Sequence, residues 1–160
     1  MSEFLALIAG QPQQKFESGV VVLQQGGASD HLLVLIDGEV EVLRDEIRLV
    51  KVATPGALFG EMSILLNCPL TATVRTLRPS TFALVAQPRT FLASSTAASL
   101  HMAELLAGRL DALNKYLIDV KRQYEGHDHL GMVDEVLETL MNRPLRPPRP
   151  AVRPEAPPAP

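Results

Sequence analysis

The residues best suited to chemistry lie in one stretch, Phe59 to Val74, reading Phe-Gly-Glu-Met-Ser-Ile-Leu-Leu-Asn-Cys-Pro-Leu-Thr-Ala-Thr-Val. A Gly-Glu pair opens a short apolar segment, and a proline followed by small polar residues closes it. Backbone N–H groups at a helix start lack intrahelical partners and sit at the positive end of the dipole, so they can hold an anion. Gly60 lets the chain approach a ligand closely. Glu61 is an acceptor for sugar hydroxyls. Thr71 adds a hydroxyl beside a second backbone approach at Ala72. This is recognition chemistry rather than bond breaking.

The other reactive residues do not assemble into a catalytic pattern. No Ser/His/Asp or Cys/His arrangement and no P-loop glycine run is present, so the chain is not read as an enzyme. His127 and His129 flank an aspartate, but two histidines without a third fixed ligand read as loop residues rather than a metal site. Cys68 has no adjoining basic residue to favour its thiolate and reads as a small buried or half-buried thiol. Ser94, Ser95 and Thr96 read as helix caps, not nucleophiles.

The elements that must position the stretch are short strands before it and helix after it. Val-rich residues from Lys15 to Gln25 suggest strand, punctuated by Gly19 and Gly26-Gly27. From His31 to Leu43, Val34 and Ile36 alternate, Asp37-Gly38 turns, and Val40 and Val42 resume the alternation. Arg44-Asp45-Glu46 is a second turn, followed by strand residues Ile47 to Val52. Pro55-Gly56 breaks the chain before the stretch, and Thr73–Thr76 and Thr81–Val85 are strands after it. Many short strands with regular turns indicate a sandwich or barrel.

Pro88 opens the helical half. Ala103, Leu106, Leu110, Leu113, Leu117, Val120 and Tyr124 recur at alternating steps of 3 and 4, the seam of a coiled coil held for three heptads. A homodimer through the 103–124 helix is the expected use. Leu105 and Ile118 lie off this seam, which predicts that the helix also packs on the barrel. A short amphipathic helix follows within 126–142, then a proline-rich tail over 143–160 that cannot build a core. Residues 1–14 form an N-terminal helical segment, and 15–125 the main domain with its long helix.

Composition sets the limits. Hydrophobic residues make up 46% and aromatics only 4%, with no tryptophan, so the core is aliphatic. A net charge of −3 excludes polyanion binding by charge alone. One cysteine excludes an internal disulfide and fits a reducing cytoplasm. Met1 to Gly10 lacks the basic start of a signal peptide, and no apolar run reaches membrane-spanning length.

The central stretch resembles the phosphate-binding cassette of cyclic nucleotide-binding domains. Phe59, Gly60, Glu61 and Met62 match its first half, and Pro69, Thr71, Ala72 and Val74 its second, with no gap between. Glycines at 19, 26 or 27, 38, 56 and 60 also fit, and the likeness runs from Phe16 to Leu117. It implies an α+β, mainly β, fold: a jelly-roll β-barrel followed by a long C-terminal dimer helix. It implies a ligand, cAMP or cGMP, no cofactor, and a ligand-binding set of Phe59, Gly60, Glu61, Met62, Leu70, Thr71 and Ala72. Leu70 stands where the family has the arginine that pairs with the cyclic phosphate. A charge-assisted contact of that kind contributes about 1.5–3 kcal/mol, so its loss weakens binding by about one to two orders of magnitude. Three outcomes stay open: a lost ligand, a substitute cation among Arg75, Arg78 or Arg48, or a less anionic or larger ligand.

The resemblance extends to Crp/Fnr-type regulators, whose Arg-Leu pair falls on Arg109-Leu110 and whose purine contacts fall on Leu113 and Asn114. Asn114 keeps hydrogen-bonding ability and joins the expected site. Too few residues follow Tyr124 for their helix-turn-helix domain, so no sequence-specific DNA binding is expected. The expected function is a regulatory cyclic nucleotide sensor acting through an unknown partner protein, with weakened or altered binding. The alternative is a ligand-independent dimeric interaction scaffold that retains the fold.

Overall fold

Eight antiparallel strands form two facing four-stranded sheets in the computed structural model, which describes residues 3–123 and the single positions 135, 138 and 139. Apart from those positions, the helix expected within 126–142, the tail over 143–160, and Tyr124, His127 and His129 lie outside the described residues.

The strands are β1 (Gln13–Phe16), β2 (Val21–Leu23), β3 (Leu32–Asp37), β4 (Val40–Arg44), β5 (Ile47–Val52), β6 (Leu58–Phe59), β7 (Thr73–Thr76) and β8 (Ser80–Val85). One sheet runs β1-β8-β3-β6 and the other β2-β7-β4-β5. The helices are α1 (Glu3–Ile8), α2 (Glu61–Leu66), α3 (Pro88–Ser94) and α4 (Thr96–Gln123). This is the expected jelly-roll barrel with a long C-terminal helix.

The turns follow the local chemistry. Gly38 joins β3 to β4 at φ 122°, and a Cβ there would fall 2.1 Å from the Ser80 hydroxyl oxygen, a space only glycine leaves free. Asp45 and Glu46 join β4 to β5 with φ of 51° and 63°. Both central residues are thus left-handed, the twist that a two-residue hairpin favours. Pro88 occupies the first turn of α3, where its missing N–H costs nothing. The Ser95 hydroxyl accepts from the Ala98 N–H at 3.2 Å and caps α4.

The interior has two layers. Leu33 and Leu35 point between the sheets with Leu23, Val40, Phe59, Leu70, Val74 and Phe82. Leu32 and Val34 point outward, where Phe4 and Ile8 of α1 and Ala98 and Met102 of α4 cover them. So β3 is buried on both faces, although its alternation suggested one buried face. The reason is that α1 and α4 roof the outer side of that sheet.

The 28 residues of α4 extend about 42 Å at 1.5 Å per residue. Its start packs on the barrel through Ala98, Met102, Leu105 and Leu106. Beyond Arg109 the seam residues Leu110 and Leu113 are 52% and 46% exposed. Ile118, expected to help hold the helix to the barrel, is also exposed within the single chain.

Candidate functional site

A cavity of about 600 Å³ opens between the sheet that contains β4, the central stretch and α4. Its lining contains Phe59, Gly60, Glu61, Met62, Leu70, Thr71 and Ala72, together with the apolar side chains of Val42, Val52 and Val74. Both halves of the stretch therefore wall one space. Local structure brings them together: Gly60 adopts φ 88° at the head of α2, and Asn67 ends that helix at φ 50°. The Gly26 N–H then donates to the Leu70 carbonyl at 2.8 Å, and the Leu70 N–H to the Gly27 carbonyl at 2.9 Å. These two bonds tie the second half of the stretch to the loop after β2.

Leu70 is 6% exposed and packs with Leu23, Phe59 and Val74, yet the cavity beside it stays open. Phe59 is buried and meets Phe82 edge-on at 6.2 Å. Met62 is exposed at the cavity edge, and its sulfur lies 3.8 Å from the Thr71 hydroxyl. Asn114 is exposed on α4 and does not line the cavity. Cys68 is half-buried, on a shallower groove of about 480 Å³ behind α2.

Glu61 is the buried charge of the site. Arg109 of α4 pairs with its Oε1 and donates from Nη2 to the Leu58 carbonyl at 2.9 Å. One guanidinium thus joins α4 to β6 and to the head of α2. The Oε2 of Glu61 is not used by Arg109 and is left for another donor. On α4, His101, Leu105 and Arg109 stand four residues apart and all line the cavity. His101 also stacks on Phe4 at 4.0 Å and lies 3.4 Å from the Gly56 carbonyl.

None of Arg75, Arg78 and Arg48 lines the cavity. Arg75 donates to Glu41 Oε1 from Nε at 2.8 Å and from Nη2 at 2.5 Å. Arg48 lies 3.6 Å from the other oxygen of Glu41, and Arg78 donates to the Gly38 carbonyl at 3.2 Å. Arg75 faces solvent and pairs there with the Glu41 carboxylate on the neighbouring strand. The Arg75 hydrogen bonds and charge, aided by Arg48, hold the Glu41 carboxyl below its ordinary value of 4.5, although burial acts the other way.

Among the lining residues that sequence reasoning missed are Arg44, His101 and Leu105. Arg44 had a signal: it keeps the two-residue spacing of Val40 and Val42 at the end of β4, although it is itself exposed. His101 and Leu105 had one too, through their four-residue spacing from Arg109.

The family model of the cyclic nucleotide-binding domain matches residues 13–93, just over half of the chain. The chain belongs to the cyclic nucleotide-binding domain family. Among curated relatives, it is 33% identical over 67 residues to the cAMP-dependent protein kinase regulatory subunit of Yarrowia lipolytica, covering 42% of this chain and 18% of that one. It is 37% identical over 62 residues to the cGMP-dependent protein kinase 2 of Mus musculus, covering 39% and 8%. The chain spans less than a fifth of the length of these relatives. Among solved structures, the Thermus thermophilus catabolite activator protein aligns with a TM-score of 0.62 at 20% identity, covering 88% of this chain and 84% of that one. A cyclic nucleotide-binding domain from Methylobacillus flagellatus aligns with a TM-score of 0.58 at 23% identity, covering 67% and 66%. Both share the fold of this cyclic nucleotide-binding domain.

Proposed function

We propose that this domain is a regulatory sensor for a cyclic nucleotide, cAMP or cGMP, that binds it weakly and acts through a partner protein. One observation carries the reading: both halves of the cassette still wall an open cavity of about 600 Å³, even though Leu70 replaces the cassette arginine. That volume is in the range of small-molecule sites. Ribose hydroxyls would donate to Glu61 Oε2, while Thr71 and the backbone at Gly60 and Ala72 would meet the phosphate.

Coupling would pass through Arg109. A ligand on Glu61 engages the carboxylate that already holds α4, so it changes the relative stability of helix positions. The outer half of α4, with Leu110 and Leu113 exposed, would carry that change to a second copy across the 103–124 seam and to the partner protein. This reading assigns the domain no catalytic step. The single half-buried thiol suits a reducing cytoplasm.

A second reading, a ligand-independent dimeric scaffold, is favoured by the packing of Leu70 into the same cluster as Leu23 and Val74. Calorimetric titration of the whole chain with cAMP and cGMP separates the two. Saturable heat and a ligand-dependent rise in melting temperature are expected from the sensor. Neither heat nor shift at millimolar nucleotide leaves only the scaffold.

A further inference from the structure

Most arginines of the domain are already engaged. Arg48 and Arg75 hold Glu41, Arg78 holds the Gly38 carbonyl, and Arg89 donates to the Ile64 and Leu65 carbonyls at the end of α2. Arg109 holds Glu61. Arg44 is different: it lines the cavity and has no ion pair or hydrogen bond to another described residue.

Strand pairing sets where Arg44 stands. β4 and β7 pair Val42 with Val74 and Leu43 with Thr73. The pairing ends there; Arg44 and Ala72 are the next residues along the two segments, and both line the cavity. Ala72 is a cassette residue, two positions from Leu70. Arg44 and Leu70 therefore line the same cavity, Arg44 from β4.

The backbone under Arg44 is held. The Gln25 side chain donates to Asp45 Oδ1 and accepts from the Asp45 N–H, both at 2.8 Å. The Gln25 N–H donates to the Thr73 hydroxyl oxygen at 3.0 Å. One residue thus ties the β4–β5 turn to the start of β7. The other side chains nearest the seat, Leu70 and Ala72, offer an anion no charge.

We propose that Arg44 is the phosphate-binding cation of this domain, replacing from the β4–β5 hairpin the charge that Leu70 removes from the cassette. The proposal rests on the cyclic nucleotide reading above. It assigns the hairpin a ligand contact, so bound phosphate would draw the hairpin toward the cassette. Arginine suits the task because it stays charged and can pair with phosphate through two N–H donors.

The test compares wild type, Arg44→Ala and Arg44→Lys, each titrated with cAMP and with adenosine, which lacks the phosphate. Arg44→Ala is expected to weaken cAMP about 10- to 100-fold and to leave adenosine unchanged. Arg44→Lys should retain part of the affinity. The wild-type affinity for cAMP should fall with added salt, and the alanine variant should lose most of that dependence. Adding Leu70→Arg to Arg44→Ala should restore cAMP binding. Unchanged cAMP affinity in Arg44→Ala overturns the proposal while leaving the sensor reading in place. Equal losses for cAMP and adenosine also overturn it, since they mark a fold defect. A wild-type chain that binds neither cAMP nor cGMP overturns both.

Discussion

Glu41 and Glu61 are each 5% exposed, and each meets an arginine, but their partners come from different kinds of element. Glu41 on β4 faces Arg75 directly across the pairing with β7, and Arg48 reaches it from β5. All three residues belong to strands of one hydrogen-bonded sheet, so the cluster closes within a rigid unit. Glu61 begins α2 and takes its arginine from α4, a helix whose described residues beyond Arg109 belong to neither core cluster. The same pair of functional groups locks a sheet in one place and joins two separately held elements in the other. Only the second pair lies in the cavity lining, where a ligand can compete for it or reinforce it.

The sharpest way to break the comparison is to remove each arginine in turn. Arg109→Met leaves the Glu61 carboxylate buried without its partner. Because Arg109 itself is partly exposed, the cost is about 1–3 kcal/mol, below that of a fully buried pair. It should appear as a lower melting temperature and as faster amide exchange in the first half of α4. Arg75→Met should lower stability without loosening α4. If both variants leave α4 exchange alike, the distinction between the two glutamates fails.

A smaller effect separates the pairs by pH. The Arg75 hydrogen bonds hold the folded-state Glu41 carboxyl below its ordinary 4.5. A depressed carboxyl contributes stability that is complete above the unfolded value and is lost as pH falls through the folded one. Denaturant unfolding should therefore show wild-type stability dropping below about pH 4.5, with Glu41→Gln weaker at neutral pH and shallower in that window. A Glu41→Gln curve parallel to wild type would place the acid sensitivity elsewhere.

The smallest effect concerns the hairpin that carries Arg44 and Arg48. Glu46 pays for its left-handed φ of 63°. Glu46→Gly should stabilise the fold by about 0.5–1 kcal/mol, read from the midpoint of chemical denaturation. The Glu41 pH profile should stay as in wild type, since the cross-strand pair with Arg75 does not depend on the turn.

Much of this architecture was legible because it is written locally. Asp37-Gly38, Arg44-Asp45-Glu46, Pro88 and Ser95 each announce a turn or a helix start through their own backbone chemistry. That both halves of the Phe59–Val74 stretch wall one cavity follows from their closeness in one continuous segment. The ion pairs were not legible, because Glu41 and Arg75 are 34 residues apart and Glu61 and Arg109 are 48 apart. Which arginine meets which glutamate follows from strand order and helix docking, and no short-range spacing encodes either. The same holds for Arg48, Arg75 and Arg78, considered as substitute cations before register assigned each to another acceptor. Asn114 was placed by likeness to a helix position, whereas the cavity lining on α4 is His101, Leu105 and Arg109.

The central claim is that a nucleotide pocket persists here with an aliphatic side chain at its cationic position. Titrating cAMP into Leu70→Arg and into wild type tests it most directly. The variant should bind about tenfold tighter or better, and its melting temperature should rise more on adding cAMP, although its unliganded form loses the packing of Leu70. Absent cAMP binding in a folded Leu70→Arg chain would contradict the claim.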